Sequence, residues 1–89
     1  MVFQMGYRLS KYAESELDAM DSTLMLMFVR HIEKVSNMPP RRHLRFGNPH
    51  FVEKVTKSAR FAYRIENETV YVVRCFSTHK EYENWYKQL

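Results

Sequence analysis

Apolar and polar positions alternate most regularly in the last third of the chain. One alternating run covers residues 59–65 and a second apolar run covers 69–76, with the polar stretch 66–68 between them. Period-two alternation of aromatic and β-branched residues around a short polar turn is typical of an antiparallel hairpin. We therefore predict two long strands here, preceded by a shorter strand over 50–55.

The N-terminal part has a helical pattern instead. A short strand over 7–9 is followed by Ser10, which can cap a helix over 11–20. The acids Glu14 and Glu16 lie in the N-terminal half of this helix, where the helix dipole is positive. The helix is predicted to present one apolar stripe, formed by Tyr12, Ala13, Leu17 and Met20.

A second helix is predicted over 23–37, with Asp21 or Ser22 as its cap and the prolines after Met38 as its end. Leu24, Leu26 and Met27 widen its apolar arc beyond what one core-facing stripe needs. This excess fits either a surface for a protein partner or a closely packed helical hairpin. The core-facing stripe itself is Met25, Phe28, Val29, Ile32 and Val35.

These elements follow one another as strand, two helices, three strands and a short C-terminal helix over 80–88. A helical pair packed on one face of a small antiparallel sheet is a stable two-layer solution at this length. We therefore predict an α+β fold, with residues 1–89 as a single domain.

The net charge of +4 is unevenly distributed. Residues 39–64 carry seven Lys or Arg against one acid, a net of +6, whereas 1–38 and 65–89 each carry −1. A basic block on an otherwise balanced domain indicates an anionic partner, with nucleic acid first, although a solvated basic face is the alternative. With one cysteine, no signal peptide and no apolar run of about 20 residues, cytoplasmic residence is the expectation.

Chemically versatile side chains follow the second long strand. His79, Lys80, Tyr82 and Tyr86 supply imidazole, ammonium and phenol groups within eight residues. Arg60 begins the first strand of the hairpin.

The order of elements, with these residues, resembles the RelE/ParE superfamily of toxins from toxin–antitoxin pairs. The resemblance is sharpest from Leu44 onward. It is carried by Leu44-Arg45-Phe46-Gly47, by Ala59-Arg60-Phe61-Ala62-Tyr63-Arg64, and by the ungapped spacing from Arg60 to Lys80 and Tyr86.

The resemblance implies a ribosome-dependent endoribonuclease that cuts mRNA and is silenced by a cognate antitoxin. It implies no contact with a membrane, and none with DNA except through an antitoxin complex. The ParE branch shares the fold but acts on gyrase rather than RNA, so a non-nuclease inhibitor of a protein target is the alternative. A plain RNA- or protein-binding module is a third possibility.

RNA self-cleavage needs a deprotonated 2′-hydroxyl, a stabilised phosphorane and a protonated leaving oxygen. Arg60 suits the stabilising role because its charge does not titrate away. His79 suits proton transfer, Lys80 can hold a phosphate, and Tyr86 can donate to the phosphate or stack on a base. Each also fits a plain surface role. The predicted RNA-binding residues are Arg41, Arg42, Arg45, Lys54, Lys57, Arg64 and Tyr82.

Two further expectations concern residues outside this set. Glu53 and Lys54 replace a lysine pair of the RelE branch, and as strand neighbours they should point to opposite faces. Arg74 should share the face of Phe61, away from Arg60, if the hairpin has a two-residue loop and no bulge. His31, His43 and His50 have no metal-ligand spacing, so we expect neither metal nor cofactor.

Overall fold

The computed structural model describes residues 6–37 and 50–89. The basic residues Arg41, Arg42 and Arg45, the stretch Leu44 to Gly47 and the proline-rich end of the second helix lie outside the described residues. The elements are β1 (Gly6–Leu9), α1 (Lys11–Asp18), α2 (Ser22–Ser36), β2 (Phe51–Lys54), β3 (Arg60–Glu66), β4 (Thr69–Phe76) and α3 (His79–Tyr86). This is the predicted α+β order.

Each helix begins at a side-chain cap. The Ser10 hydroxyl accepts a hydrogen bond from the Ala13 amide, and the Asp21 carboxylate accepts one from the Leu24 amide. Thr78 caps α3 in the same way. Caps of this kind satisfy amides that have no partner within the helix. The caps therefore fix where α1, α2 and α3 start. None of the described helices is long and apolar enough to cross a membrane.

The four described strands form one sheet in the order β1-β4-β3-β2. The pairs β2–β3 and β3–β4 are antiparallel, as predicted. In contrast to the all-antiparallel expectation, β1 pairs with β4 in parallel, so the sheet is mixed. The reason is topological: two helices intervene between β1 and β2, and the N-terminal strand joins the far edge of the completed hairpin.

The hairpin between β3 and β4 contains a tight turn and a bulge. Asn67 and Glu68 both have positive φ, 49° and 61°, as a two-residue turn of this hand requires. Further along, the pairing shifts between Ala62 and Tyr63, which leaves Val73 as an extra residue in β4. Arg74 consequently pairs with Ala62 rather than Phe61. The bulge thus corrects the prediction for a regular hairpin and puts Arg74 on the same face as Arg60.

Both faces of the sheet are covered by helices. We call the face under α1 and α2 the core face. Its buried residues include Phe61, Val72 and Cys75, packed with Phe28 and Ile32 of α2. We call the opposite side the second face, where α3 packs in a smaller cluster. That cluster consists of Ala62, Phe76 and Tyr82, flanked by Val52, Val73, Trp85 and Tyr86. Trp85 helps to pack α3 onto this face.

Helix α1 covers the edge of β4 beyond the point where β1 ends. The Ser10 amide donates to the Val72 carbonyl (2.9 Å), and the Ser10 hydroxyl donates to the Val73 carbonyl (2.6 Å). The Glu16 carboxylate accepts from the Cys75 amide (2.7 Å) and from Arg74 Nε (2.8 Å). Side chains of α1 therefore take the place of a neighbouring strand along the second half of β4.

The apolar excess of the helices is partly exposed. Leu24 and Met25 pack on the core, but Leu26 is 52% exposed and Met27 is 36% exposed. The α1–α2 hairpin does not cover them. Tyr12, predicted on the apolar stripe of α1, is 70% exposed instead and lies beside the Arg74 guanidinium, 5.6 Å from its carbon.

We predict that Glu16→Ala lowers the free energy of unfolding by about 2 kcal/mol. The substitution leaves the Cys75 amide and the Arg74 guanidinium without their shared acceptor. Urea denaturation followed by circular dichroism measures the change. Glu14→Ala on the exposed side of the same helix is the matched control and should cost less than about 1 kcal/mol. Equal losses in the two variants would contradict a structural role for the Glu16 contacts.

Candidate functional site

The candidate site lies on the second face, where α3 crosses the start of β3. Tyr82 is at its centre, 9% exposed. The Arg60 guanidinium carbon lies 4.9 Å from the centroid of the Tyr82 ring. The Tyr86 ring meets the same ring edge-on at 5.9 Å, and the His79 ring lies 6.1 Å away. The groups predicted from two distant segments, except Lys80, therefore converge on one phenol ring.

Helical geometry explains why these three residues of α3 lie together. His79, Tyr82 and Tyr86 are spaced by three and four residues, which places them on one side of a helix. Lys80 falls outside this row. It is exposed and makes no ion pair or ring contact with the described residues. His79 is half exposed, and its Nε2 lies 3.6 Å from a carboxylate oxygen of Glu83, one turn later.

Arg60 retains much of its hydrogen-bonding capacity. One Nη2–H donates to the Lys57 carbonyl at 3.3 Å. Its Nε is covered and makes no hydrogen bond within the described residues. A guanidinium has five N–H donors, so the Nη groups can still bind an anion. Contact with the Tyr82 ring holds the guanidinium over the aromatic face.

Burial controls the protonation of the central phenol. It raises the pKa of Tyr82 above its ordinary value of 10.0, partly opposed by the positive charge of Arg60 and reinforced by Tyr86. Tyr82 therefore stays protonated at neutral pH. It is packed against Phe76, Trp85 and Arg60. Its predicted role in RNA binding remains a prediction, and its contacts are those of a residue that positions its neighbours.

The remaining predicted RNA-binding residues are spread along β2 and β3. Lys54 pairs across the ladder with Arg60, so it belongs to the same face, and its side chain is exposed. Lys57 is exposed in the turn just before Arg60. Arg64 lies two residues beyond Ala62 in β3 and therefore on the same second face. Its guanidinium carbon is 5.3 Å from the centroid of the Tyr71 ring.

Glu53 and Lys54 do point to opposite faces, as expected of strand neighbours. Glu53 pairs with Phe61 on the core face, and its carboxylate meets His31 Nδ1 of α2 at 3.1 Å. The carboxylate is thus engaged on the side of the sheet away from Arg60. This contact does not favour Glu53 as the base of a site on the second face.

Arg74 reaches the second face but is already engaged. Two of its nitrogens lie 2.8 Å from Glu16 Oε2, and its guanidinium also flanks the Phe76 ring at 5.4 Å. A paired arginine of this kind holds α1 to β4. The neighbouring Cys75 thiol is buried, and burial raises its pKa to about 12, with a further contribution from Glu16. It is not a reactive thiol at neutral pH.

Sequence reasoning missed a hollow beside α3. This hollow has a volume of about 510 Å³ and is lined by residues that include His50, Arg64, Tyr71, Arg74 and Trp85. The His50 ring meets the Trp85 ring edge-on at 5.3 Å. Arg64 and Tyr71 are partners across the β3–β4 ladder. Their pairing follows from the register of the hairpin, so the sequence indicates it only when the turn has been located.

The lowered pKa of His50 makes a prediction about stability. Burial first, and then the positive charge of Arg64, lower this pKa below 6.5, so the folded state prefers the neutral imidazole. The unfolded chain binds the proton of this imidazole more readily than the folded chain does. Burial of the neutral His50 is therefore tolerated without a stability penalty above pH 6.5, and the folded state loses stability as the pH falls below that value. We therefore expect His50→Gln to lose less thermal stability than the parent chain between about pH 7.5 and 5.5.

Melting curves of both proteins across this pH range provide the measurement. The comparison of the two proteins cancels the titration of carboxylates, which is common to both. A parent chain that loses no more stability on acidification than His50→Gln would show that the imidazole is equally free to protonate in the folded state.

Comparison with solved structures identifies the fold. A chain of the toxin–antitoxin complex RelBE2 from Mycobacterium tuberculosis is 20% identical, with a TM-score of 0.71 over 89% of this chain and 97% of that one. A double mutant of the E. coli toxin RelE in the free state is 19% identical, with a TM-score of 0.76 over 94% and 92%. The YoeB–YefM complex from Staphylococcus aureus contains a chain 8% identical, with a TM-score of 0.58 over 81% and 94%.

No protein-family model matches the sequence. No curated protein matches it either. At these levels of identity the likeness is one of fold, and it extends over most of each chain. The predicted resemblance to RelE is therefore confirmed as a RelE-like fold.

Proposed function

We propose that this chain is the toxin of a toxin–antitoxin pair and acts as an endoribonuclease on mRNA at the ribosome. The RelE-like fold supports the toxin role. The single observation that carries the enzymatic part is the convergence of Arg60, His79 and Tyr86 around the Tyr82 ring. These groups supply fixed positive charge, a titratable base and a phenol at one place, which is what cleavage through the 2′-hydroxyl requires.

Arg60 is the proposed stabiliser of the transition state. In the attack of a 2′-hydroxyl on the adjacent phosphorus, negative charge grows on the non-bridging oxygens. A guanidinium held in place before the reaction stabilises that charge without reorganisation. The Tyr82 ring and the Lys57 carbonyl hold Arg60 and leave its remaining Nη donors for the phosphate.

His79 and Tyr86 are the proposed proton-transfer and orienting groups. An imidazole can take the proton of the 2′-hydroxyl or protonate the departing 5′-oxygen. Glu83 lies one turn away and orients the His79 ring. Tyr86, at the far end of the same row, can donate to the phosphate or stack on the base beside it. The pathway needs no metal ion.

Lys80 and the basic residues around Arg60 have a supporting role in this proposal. Lys80 is exposed beside His79, where its ammonium group can hold a phosphate of the same strand. Lys54 and Lys57 add positive charge near Arg60. Arg41, Arg42 and Arg45 belong to the same basic segment of the sequence. Contacts between such groups and phosphates give affinity rather than sequence choice.

The proposed partners are an antitoxin protein, mRNA and the ribosome, which place the chain in the cytoplasm. Two of the solved structures it resembles are toxin–antitoxin complexes, RelBE2 and YoeB–YefM. Leu26 and Met27 leave apolar area exposed on α2. An exposed apolar area on a small domain is consistent with a protein partner.

Single substitutions test the proposed site. We expect Arg60→Ala to lower the rate of mRNA cleavage by about 10²–10³-fold, because it removes the charge stabilising the phosphorane. We expect His79→Ala to lower it by about 10²–10⁴-fold through loss of proton transfer, and Tyr86→Phe to lower it less. Cleavage of message on translating ribosomes, mapped by primer extension, measures the rate, and growth arrest in bacteria provides the readout in cells.

Arg30→Ala is the matched control, because it removes one positive charge from an exposed position on α2, on the other side of the sheet. It should cut at the parent rate. Full cutting by all three site variants would place the active centre elsewhere. Growth arrest without any cut message would favour the alternative, a ParE-type inhibitor of gyrase or another protein.

A further inference from the structure

A second basic and aromatic area lies on the same face, away from Arg60. Arg8 of β1, Tyr71 of β4 and Arg64 of β3 are direct partners in the ladders of three adjacent strands. Direct partners share a face, so the three side chains form one row across the sheet. The Arg64 guanidinium carbon lies 5.3 Å from the Tyr71 centroid. We call Arg8, Tyr71 and Arg64 the distal row.

Hollows open on both sides of the distal row. One, of about 350 Å³, is lined by Arg8, Arg64 and Tyr71 together with the residues of the β3–β4 turn. The other is the hollow beside α3, which shares Arg64 and Tyr71 and adds His50 and Trp85. The two hollows share Arg64 and Tyr71, and we call them together the groove.

The two arginines of the distal row are available to an anion. Arg8 is exposed and makes no hydrogen bond or ion pair with the described residues. Arg64 Nη2 meets Glu66 at 3.1 Å, but both side chains are substantially exposed, 37% and 54%. Exposed pairs of this kind contribute little, so a phosphate can replace the carboxylate. Arg74, by contrast, is held by Glu16 and is not counted among them.

The aromatic residues of the groove favour an unpaired nucleotide over other anions. Bases splayed out of a helix stack on aromatic rings and on guanidinium planes. The half-buried Tyr71 provides such a ring, already flanked by Arg64, and Trp85 lines the adjoining hollow. An acidic peptide would use the arginines but has no comparable need for the rings.

We propose that the distal row is a nucleotide-binding subsite for single-stranded RNA. Arg8 and Arg64 bind a backbone phosphate, and the adjacent base stacks on Tyr71. Arg60 and Arg64 are four residues apart on one face of β3, a separation of roughly 13 Å. The subsite therefore holds a nucleotide flanking the one at Arg60. The identification of this RNA as the message being cut rests on the proposed function. The binding of RNA by the distal row does not depend on it.

Binding of a fluorescently labelled single-stranded RNA, measured by anisotropy, tests the subsite. The RNA carries 2′-O-methyl groups throughout, so it has no 2′-hydroxyl and cannot be cut. We expect Arg8→Ala and Arg64→Ala each to weaken binding by about tenfold. Each should also reduce the slope of log K against log salt concentration by about 0.7, the value for one lost phosphate contact. Tyr71→Leu should weaken binding by about 5- to 100-fold through loss of stacking.

Two controls match these variants. Tyr71→Phe keeps the ring and removes only the hydroxyl, so it should bind as the parent does. Arg30→Ala removes one positive charge from α2 on the opposite side and should change affinity far less than Arg64→Ala. Circular dichroism melting of every variant identifies any that fails to fold, and Arg8→Ala and Arg64→Ala carry the test of the subsite if Tyr71→Leu does not fold.

The possible outcomes separate this proposal from the preceding one. Distal-row variants that bind RNA as well as Arg30→Ala overturn the subsite, even if Arg60→Ala abolishes cleavage. Variants that lose RNA binding support the subsite, even if the parent chain cuts no message and the nuclease proposal fails. Variants that lose affinity for a polyglutamate peptide but retain RNA binding indicate a protein-docking surface and likewise overturn it.

Discussion

The attachment of α1 to the outer edge of β4 is the interaction on which the rest of the structure depends. Strand β4 is central: it pairs with β1 and β3 and contributes buried side chains to both faces of the sheet. Beyond Val72 none of the described strands lies beside its outer edge, and Ser10 and Glu16 make hydrogen bonds to the backbone there instead. Unsatisfied backbone groups at a half-buried edge are costly, so this contact stabilises the irregular half of β4 that leads into α3.

Covering both faces of a small sheet creates the surface on which the proposed site lies. On the core face, alternation in β3 supplies Phe61 and Tyr63 to the main core. On the second face the same strand supplies Arg60, Ala62 and Arg64. The small Ala62 lies in the cluster under α3, and the arginines on either side border that helix or extend beyond it. One strand thus contributes to both the main core and the cationic face, because its side chains alternate.

Much of this arrangement could be predicted from the sequence, because local chemistry encodes it. Polar caps, two-residue alternation and a turn at Asn67-Glu68 indicated the order of elements and the packing of the α1–α2 pair on one face of the sheet. The four-residue spacing of Tyr82 and Tyr86 is enough to place both on one side of a helix. Three features were not accessible in this way. The parallel partner of β1 lies more than sixty positions away, the bulge at Val73 has no distinctive residue, and the exposed Tyr12 lies beside Arg74, which is distant in sequence. Each depends on long-range packing, which local patterns do not contain.

The parallel pairing of β1 with β4 has a consequence for the synthesis of the protein. Gly6–Leu9 leaves the ribosome more than sixty residues before its partners, Thr69 to Val72. The sheet cannot close around Val70 and Val72 until β4 has emerged. A nascent chain interrupted before β4 therefore lacks the central strand and α3, and with them the residues that complete both apolar clusters. The cell making this polypeptide therefore meets the assembled four-stranded sheet only after β4 of that copy has been translated.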